Sequence, residues 1–369
     1  MTSRDRLLAI LRGQPRDRVA WTTLVDGASR SQMSARLRNM PAIDFYRHIR
    51  CDTLQWGLGG LVDPQVVDPV CRLVRPEMDQ VDERRPDGAL ATQLRTQWGK
   101  LTWASRNGHP VEYAVKTADD LRVLQSIWAH SRYEEAPEDT DPYAPAFAAV
   151  GQSGILAEVV APSPVQQLIE TDMGLAGFYY HLSDRPREVH KLLQTMHARR
   201  LTEYEILARR SRADVIIPIE NTSSRLTSPA IYERYSLPQI SDYVGMIHNC
   251  GKLAVLHMCG HLHDLLPVLR KTGLDGVNGL TPPPVGDTPF EYALDVMGEQ
   301  FLILGGVFPP NVFHATDLSY GRLAAALEEL FTARVRRARL LLWIAVDGLP
   351  TRIDKFRMVD NWVRDNGAL

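Results

Sequence analysis

The sequence predicts an α/β protein and, within that class, a (β/α)8 barrel. From residue 17 onward, about eight apolar, strand-like runs alternate with helical stretches, which is typical of right-handed βαβ units and a parallel sheet. The length of 369 residues suits one such barrel, so we expect a single domain over residues 1–369. A doubly wound open sheet is the alternative. No strand-like run is followed by Gly-x-Gly-x-x-Gly, which disfavours its dinucleotide-binding form.

The first helix and the first strand have clear boundaries. Thr2 or Ser3 can cap an amphipathic helix, and Gly13 can close it. The apolar run over 17–25 then predicts a strand.

An antiparallel insertion is predicted near residues 66–116. Short β-type runs in this segment are broken by Pro-Asp-Gly at 86–88 and by Asn-Gly at 107–108, which are hairpin signals. We therefore expect a β-hairpin or β-meander here. The acidic, proline-rich stretch 133–146 that follows reads as an exposed connection.

The second half of the chain alternates strands and helices regularly. A long helix is predicted over 187–210, Ser228 with Pro229 starts another helix, and Gly251 closes it. Strands are predicted within residues 154–162, 214–221, 253–260, 275–283, 300–310 and 339–350.

Composition excludes several functional classes. The net charge of −2 and pI near 6.6 give no broad cationic surface, so nucleic acid is not expected as a partner. No apolar run is long enough to span a bilayer, and the charged N-terminus does not resemble a secretory signal, so no membrane association is expected. Four cysteines in this length do not form a disulfide framework, and we expect a cytoplasmic protein.

One strand ends on two potential metal ligands. His257 and Cys259 are two residues apart, so in a strand they point to the same face while Met258 points away. At the C-terminal end of a barrel strand, where active sites of this fold gather, they could bind zinc. A buried histidine beside an inert core cysteine is the alternative.

Two carboxylates follow other apolar strands. Glu220 and Asp347 each come just after such a run, and a buried, unpaired charge is costly. Each alone could be a helix cap or an ion-pair partner. Two acids beside His257 and Cys259 on one rim favour a metal site, with catalytic roles for both carboxylates.

The chain resembles the uroporphyrinogen decarboxylase superfamily, and within it the zinc-dependent, corrinoid-linked methyltransferases. The likeness rests on the opening TSRDRLLAILRGQPRDRVAW, on the region from Ser228 to Leu280 that contains His-x-Cys-Gly, and on GGVFPP and the last strand–helix unit. The resemblance implies a barrel of the uroporphyrinogen decarboxylase type and zinc held by the His-x-Cys pair with a second cysteine. That cysteine aligns with Asp347. A carboxylate there makes the zinc harder and more Lewis-acidic, which suits demethylation of a methoxy or methylamine compound.

The decarboxylases of the superfamily grip a tetracarboxylate with paired arginines in an N-terminal loop. The matching stretch here, residues 22–30, holds Arg30 alone. A decarboxylase-like lyase is therefore disfavoured. A non-catalytic barrel that binds a ligand or a corrinoid protein stays as a further alternative.

The resemblance thus implies zinc, a small methylated substrate and a corrinoid (cobalamin) carried by a separate protein. The methyl donor, the direction of transfer and the oligomeric state, a homodimer included, are left open. Side chains near expected strand ends could contact substrate: Trp21, Asp26, Asp52, Trp56, Tyr179 and Phe308.

Overall fold

The structure is a computed structural model that describes residues 1–59, 61 and 69–369. Its strands, in chain order, are β1 (Ala20–Leu24), β2 (Thr53–Trp56), β3 (Cys71–Val74), β4 (Asp79–Arg84), β5 (Leu90–Thr96), β6 (Gly99–Arg106), β7 (His109–Glu112), β8 (Arg132–Glu135), β9 (Gly154–Val160), β10 (Val215–Pro218), β11 (Leu253–His257), β12 (Gly276–Asn278), β13 (Leu302–Val307) and β14 (Leu340–Ala345).

Its α-helices are α1 (Ser3–Arg12), α2 (Ala35–Arg38), α3 (Ala42–Ile49), α4 (Ala118–His130), α5 (Tyr143–Val150), α6 (Pro164–Gln167), α7 (Gly174–Asp184), α8 (Pro186–Arg210), α9 (Pro229–Ile231), α10 (Leu237–Asn249), α11 (Leu266–Leu269), α12 (Phe290–Met297), α13 (Pro310–Phe313), α14 (Tyr320–Leu330), α15 (Ala333–Arg337) and α16 (Ile353–Asn366). Two π-helical turns, Leu168–Asp172 and Tyr232–Ser236, continue α6 and α9.

Eight parallel strands form the barrel, in the order β1-β14-β13-β12-β11-β10-β9-β2. The two ends of this order meet where the Asp52 N–H donates to the Trp21 carbonyl at 2.7 Å. Helices connect successive strands, so the predicted (β/α)8 barrel is confirmed and the doubly wound sheet is excluded. The strands are rich in Leu, Ile and Val because both of their faces are covered.

Helix α1 lies across the N-terminal end of the barrel. Thr2 caps it through a reciprocal pair of hydrogen bonds with Asp5, and Gly13 ends it in the left-handed conformation, as the sequence predicts. Its Leu7 and Ile10 join the apolar cluster that fills the barrel interior. A functional site can therefore lie at the C-terminal end of the barrel, opposite α1.

The predicted antiparallel insertion is confirmed from β4 to β7, with turns at the two predicted hairpins. Two details are wrong. The strand Cys71–Val74 pairs with Arg132–Glu135 instead of joining the meander, so the stretch 133–146 begins with a strand. Residues 66–68 lie outside the described residues.

The meander has a core of its own. Its inner residues Leu94 and Leu101 pack with α4, and α4 packs on α8. This apolar cluster contains none of the side chains that fill the barrel interior. This cluster also packs the segment that follows β9 against the antiparallel sheet. The Val115 N–H donates to the Asp172 carbonyl there, at 2.9 Å.

Candidate functional site

His257 ends β11 with its side chain directed into the barrel. Leu253 and Val255 belong to the interior cluster, whereas Leu256 and Met258 belong to the cluster beneath the outer helices. The alternation expected of a strand therefore holds, and His257 shares the inward face. The strand ends at His257, so Cys259 lies just beyond it, partly exposed.

Gly279, in the loop after β12, leaves room for the side chains of His257 and Cys259. Gly279 follows β12 with a positive φ of 88°. A Cβ placed there would lie 3.2 Å from His257 Cε1 and 3.3 Å from Cys259 Cβ. Both side chains thus border the same spot, and a residue larger than glycine would crowd them.

Asn278 fixes the tautomer of His257. Its amide nitrogen donates to the Leu304 carbonyl, which leaves its Oδ1 as the acceptor for His257 Nδ1–H at 2.6 Å. The lone pair of the imidazole is then on Nε2. Metal-binding histidines are commonly held in this way. Gly305 makes room for the amide, because a Cβ there would lie 2.6 Å from Asn278 Nδ2.

Two indoles pack against His257. The ring of Trp56, at the end of β2, meets the imidazole edge-to-face with centroids 4.9 Å apart, and the Trp343 ring lies 6.1 Å away. The two indoles are 5.8 Å apart. They give the site an apolar wall, so the prediction that Trp56 lies near the site is consistent with its position.

The electrostatic surroundings favour uncharged forms of both potential ligands. Burial lowers the pKa of His257, although the hydrogen bond to Asn278 and the charge of Asp347 oppose this. Burial of the thiol raises the pKa of Cys259, and the charges of Glu170 and Asp347 raise it further. Without a bound cation, the pair is a neutral imidazole beside a neutral thiol.

Asn221 adds a strained backbone position. It has a φ of 43°, which few residues other than glycine adopt, and its N–H donates to the His257 carbonyl at 2.9 Å. Its Oδ1 accepts a hydrogen bond from the Cys259 thiol at 3.6 Å. Asn221 therefore links the end of β10 to both residues of the pair.

Asp347 and Asp26 lie on the same rim. Asp347 is exposed in the turn after β14, and its charge acts on the pKa of both His257 and Cys259. Asp26, after β1, accepts a hydrogen bond from the Gly348 N–H at 2.8 Å. Although burial opposes it, the N–H groups of Ser29 and Gly348 lower the pKa of Asp26. Asp26 thus anchors the turn that carries Asp347.

The prediction that Glu220 faces the pair is wrong. Ile217 and Ile219 point into the barrel, so Glu220 points outward, and it is fully buried. Its carboxylate accepts hydrogen bonds from the Ser163 N–H at 2.9 Å and the Ser163 hydroxyl at 2.8 Å. Burial raises the pKa of Glu220 to about 7.

Two of the expected substrate contacts lie elsewhere. Trp21 is the second residue of β1, faces the outer helices and is fully buried. Asp52 precedes β2, so it lies at the opposite end of the barrel from His257. There it pairs with Arg6 at 2.6 Å and with Arg18 at 3.1 Å.

The two remaining aromatic candidates also have other positions. Tyr179 is on α7 instead of at a strand end, and its hydroxyl donates to the Leu226 carbonyl at 2.9 Å. Phe308 follows β13 but packs outward beneath the helices, 6.4 Å from the ring of Phe313.

Glu170 is a rim residue that the sequence analysis missed. It lies in the π-helical turn after β9, and its negative charge raises the pKa of Cys259. A single acid inside a helical stretch carries no pattern, so only the fold reveals it. Within the described residues, no group of three or more His, Cys, Asp or Glu side chains is already arranged to hold a metal ion.

Comparison with known proteins supports the fold. Residues 157–317 match the family model described as "Uroporphyrinogen decarboxylase (URO-D)". No curated protein sequence matches the chain. Among solved structures, a methyltransferase from Methanosarcina mazei is similar with a TM-score of 0.59 and 14% identity, covering 99% of each chain.

The part of the chain that the structure describes contains no helix long and apolar enough to cross a membrane. The matched segment 157–317 runs from β9 past β13 and includes His257, Cys259 and Asn278. The sequence similarity to the uroporphyrinogen decarboxylase family is thus found over residues 157–317, and the similarity to the solved methyltransferase supports the barrel fold over the chain.

Proposed function

We propose that this protein is a zinc-dependent methyltransferase. It would move a methyl group between a small methoxy or methylamine compound and a corrinoid on a separate protein. The observation that carries the proposal is the pair at the end of β11. The His257 ring and the Cβ of Cys259 both border Gly279, and the hydrogen bond from Nδ1 to Asn278 leaves the lone pair of His257 on Nε2. The solved methyltransferase of similar fold supports the reaction class.

The pair suits zinc chemically. Neutral imidazole and thiolate are the nitrogen and sulfur ligands that zinc prefers, and the thiol must lose its proton on binding. The hydrogen bond from His257 to Asn278 already holds the ring in the form that binds through Nε2. Catalytic zinc sites usually take three protein ligands and keep one open position.

Asp347 is the residue we propose as the third ligand. It lies in an exposed turn on the same rim, and its charge reaches both members of the pair. The side chain of Glu220 is held by Ser163 on the outside of the barrel and is not proposed again. Because no three-ligand group is arranged in advance among the residues that the structure describes, the turn at Asp347 would have to adjust when zinc binds.

Zinc held there would polarise the oxygen or nitrogen that carries the methyl group and stabilise the charge it gains as the methyl leaves. The chain's own residues would position the substrate. Trp56 and Trp343 form an apolar wall beside His257, which would exclude water from the methyl-bearing end. Asp26 would hold the turn that carries Asp347.

A decarboxylase-like function is disfavoured by the position of Arg30. Its guanidinium donates to the Met40 carbonyl at 2.5 Å and lies over the ring of Phe45. It is therefore occupied by its own loop, whereas a tetracarboxylate substrate would need free cations.

The reaction is tested with protein loaded with zinc. The protein is mixed with reduced cobalamin and a panel of methoxyaromatics, methylamines and methylthiols, and methylcobalamin is followed by absorbance. Formation of methylcobalamin with a methoxy or amine donor is expected, and it should be lost in the His257→Ala, Cys259→Ser double variant. Turnover only from methylcobalamin to a thiol would reverse the direction. No transfer, even with a partner corrinoid protein present, would favour the non-catalytic barrel.

A further inference from the structure

A cavity lies away from the C-terminal end of the barrel, between the antiparallel sheet and α4. Its volume is about 350 Å³. Leu101, Leu124, Ile127 and Trp128 form much of its wall, and each is at most 6% exposed. These residues belong to the separate apolar cluster of the sheet and its helices.

The cavity is a pocket that opens to the surface, because Arg75 and Thr171 in its lining are exposed. Close-packed protein interiors leave few spaces of this size. Pockets for small molecules, in contrast, start at about 300 Å³. The cavity therefore has the size of a small ligand site.

One end of the cavity is polar and organised. Gln167 Nε2 donates to Asp172 Oδ2 at 3.1 Å, and Gln167 Oε1 accepts from Arg200 Nη2 at 2.5 Å. The Thr171 hydroxyl donates to the Gln167 carbonyl at 2.8 Å. The other carboxylate oxygen, Asp172 Oδ1, accepts no hydrogen bond from the described residues. Asp172 is partly exposed, so this end of the cavity offers an accessible acceptor.

The charges that line the cavity balance. Asp172 and Arg75 are its charged lining residues, with one negative and one positive charge. Burial raises the pKa of Asp172 to about 6, and the charge of Arg75 opposes that shift, so the carboxylate is mainly ionised at neutral pH. A charged head would be attracted by one of these two groups and repelled by the other, so a neutral head that both donates and accepts a hydrogen bond fits best.

We propose that this cavity binds a small, neutral hydroxylated aromatic compound, of the phenol or benzyl alcohol type. The ring would lie among the aliphatic side chains and the indoles of Trp103 and Trp128, which both line the cavity. The hydroxyl group would donate to Asp172 and accept from Arg75. The site is separate from the pair at the barrel rim and does not depend on the reaction proposed there.

The two sites share one turn of the backbone, so the experiment must separate them. Asp172 and Glu170 are both in the π-helical turn Leu168–Asp172, and the charge of Glu170 acts on Cys259. Binding to the His257→Ala, Cys259→Ser variant tells a ligand in the cavity from one at the rim.

Isothermal titration of the full-length protein tests the proposal, with phenol and benzyl alcohol as probes and with benzoate and benzylammonium as charged analogues. One saturable site is expected for the neutral probes, with the charged analogues about tenfold weaker or more. Ala114 lines the cavity and is 8% exposed, so Ala114→Leu should fill the space and abolish binding. Ala129→Leu, the same change at an exposed position of α4, should leave binding unchanged.

Asp172→Asn keeps the shape of the side chain and should weaken phenol binding about tenfold, since it removes a hydrogen bond to a charged acceptor. If Ala114→Leu does not fold, the binding measured with Asp172→Asn still tests the proposal. The His257→Ala, Cys259→Ser variant should bind phenol like the wild type. The proposal is overturned by the absence of saturable binding, by equal binding of the charged analogues, or by binding that is lost only in the His257 and Cys259 double variant.

Discussion

At the scale of single residues, the pair depends on Asn278, whose side chain orients the His257 imidazole. The spacing of His257 and Cys259 was enough to place both on one side of the end of β11. Asn278 could not be found, because one asparagine near a strand end has many possible roles and its partner is 21 residues away. The prediction for Glu220 was wrong although the sequence contained the necessary signal. Ile217 and Ile219 point inward, so alternation along the strand directs Glu220 outward.

Asn278 should control zinc affinity. Asn278→Ala removes the acceptor that orients the imidazole, and loss of such a partner typically lowers metal affinity about 10–100-fold. Competition with a chromogenic chelator measures it, with the unfolding temperature recorded beside it. Asn249→Ala, at an exposed position, is the control. Unchanged affinity in a folded Asn278→Ala protein would contradict the role of Asn278.

Glu220 should make stability depend on pH. Its pKa in the folded protein, about 7, lies above the ordinary 4.5, so the folded form holds the proton more tightly. The contribution of this carboxyl group to the free energy of unfolding is complete below pH 4.5. It is lost as the pH rises through 7, a change of about 3 kcal/mol. Chemical denaturation at several pH values should show a smaller decline for Glu220→Gln than for the wild type. Parallel declines would show that the carboxyl group is not desolvated as the structure indicates.

At the scale of elements, the alternation of strands and helices predicted the barrel because both faces of each strand are buried. The two hairpin signals likewise predicted the meander. Pairing between distant segments has no local signal, and so the strand Cys71–Val74 was assigned to the wrong sheet. The candidate site is likewise divided between elements, with the pair at the end of β11 and Asp347 after β14.

Asp347 should contribute to zinc binding through the turn after β14. Asp347→Ala is expected to lower zinc affinity by at least about tenfold, since a catalytic site needs a third ligand. Glu220→Gln is the matched control, because that side chain is bonded to Ser163 outside the barrel. Metal analysis after dialysis measures both. Zinc retained in Asp347→Ala but lost in Glu220→Gln would reverse the assignment.

At the scale of the whole molecule, the two ends of the barrel have different roles. The pair and the carboxylates gather at the C-terminal end, whereas the N-terminal end is closed by α1 and by the ion pairs around Asp52. Arg6 bridges Asp52 and Asp17, each at 2.6 Å. The sequence could not tell which end Asp52 would occupy, because the boundary of β2 had to be known to within one residue.

Asp52 should therefore affect stability and not zinc. Asp52→Ala removes the fully buried carboxylate that pairs with Arg6 and Arg18, and breaking a buried ion pair typically costs about 3–5 kcal/mol of unfolding free energy. Asp317→Ala, which breaks an exposed ion pair with Arg322, should change the free energy of unfolding by about 0.5 kcal/mol or less. Denaturant titration gives both values, and zinc content should stay at the wild-type level. A loss of zinc from folded Asp52→Ala protein would return Asp52 to the site.

The position of α1 also determines the order in which the molecule can be completed during synthesis. Leu7 and Ile10 are synthesised long before Leu302 and Leu341, with which they pack, and the carbonyl of Ile10 accepts a hydrogen bond from Arg339. The helix can pack on β9 earlier, but its apolar side is fully covered only when β14, more than three hundred residues later, has been added. Until then part of the apolar interior stays exposed, and such a surface binds chaperones or aggregates. A chain that stops before β14 would never cover that surface.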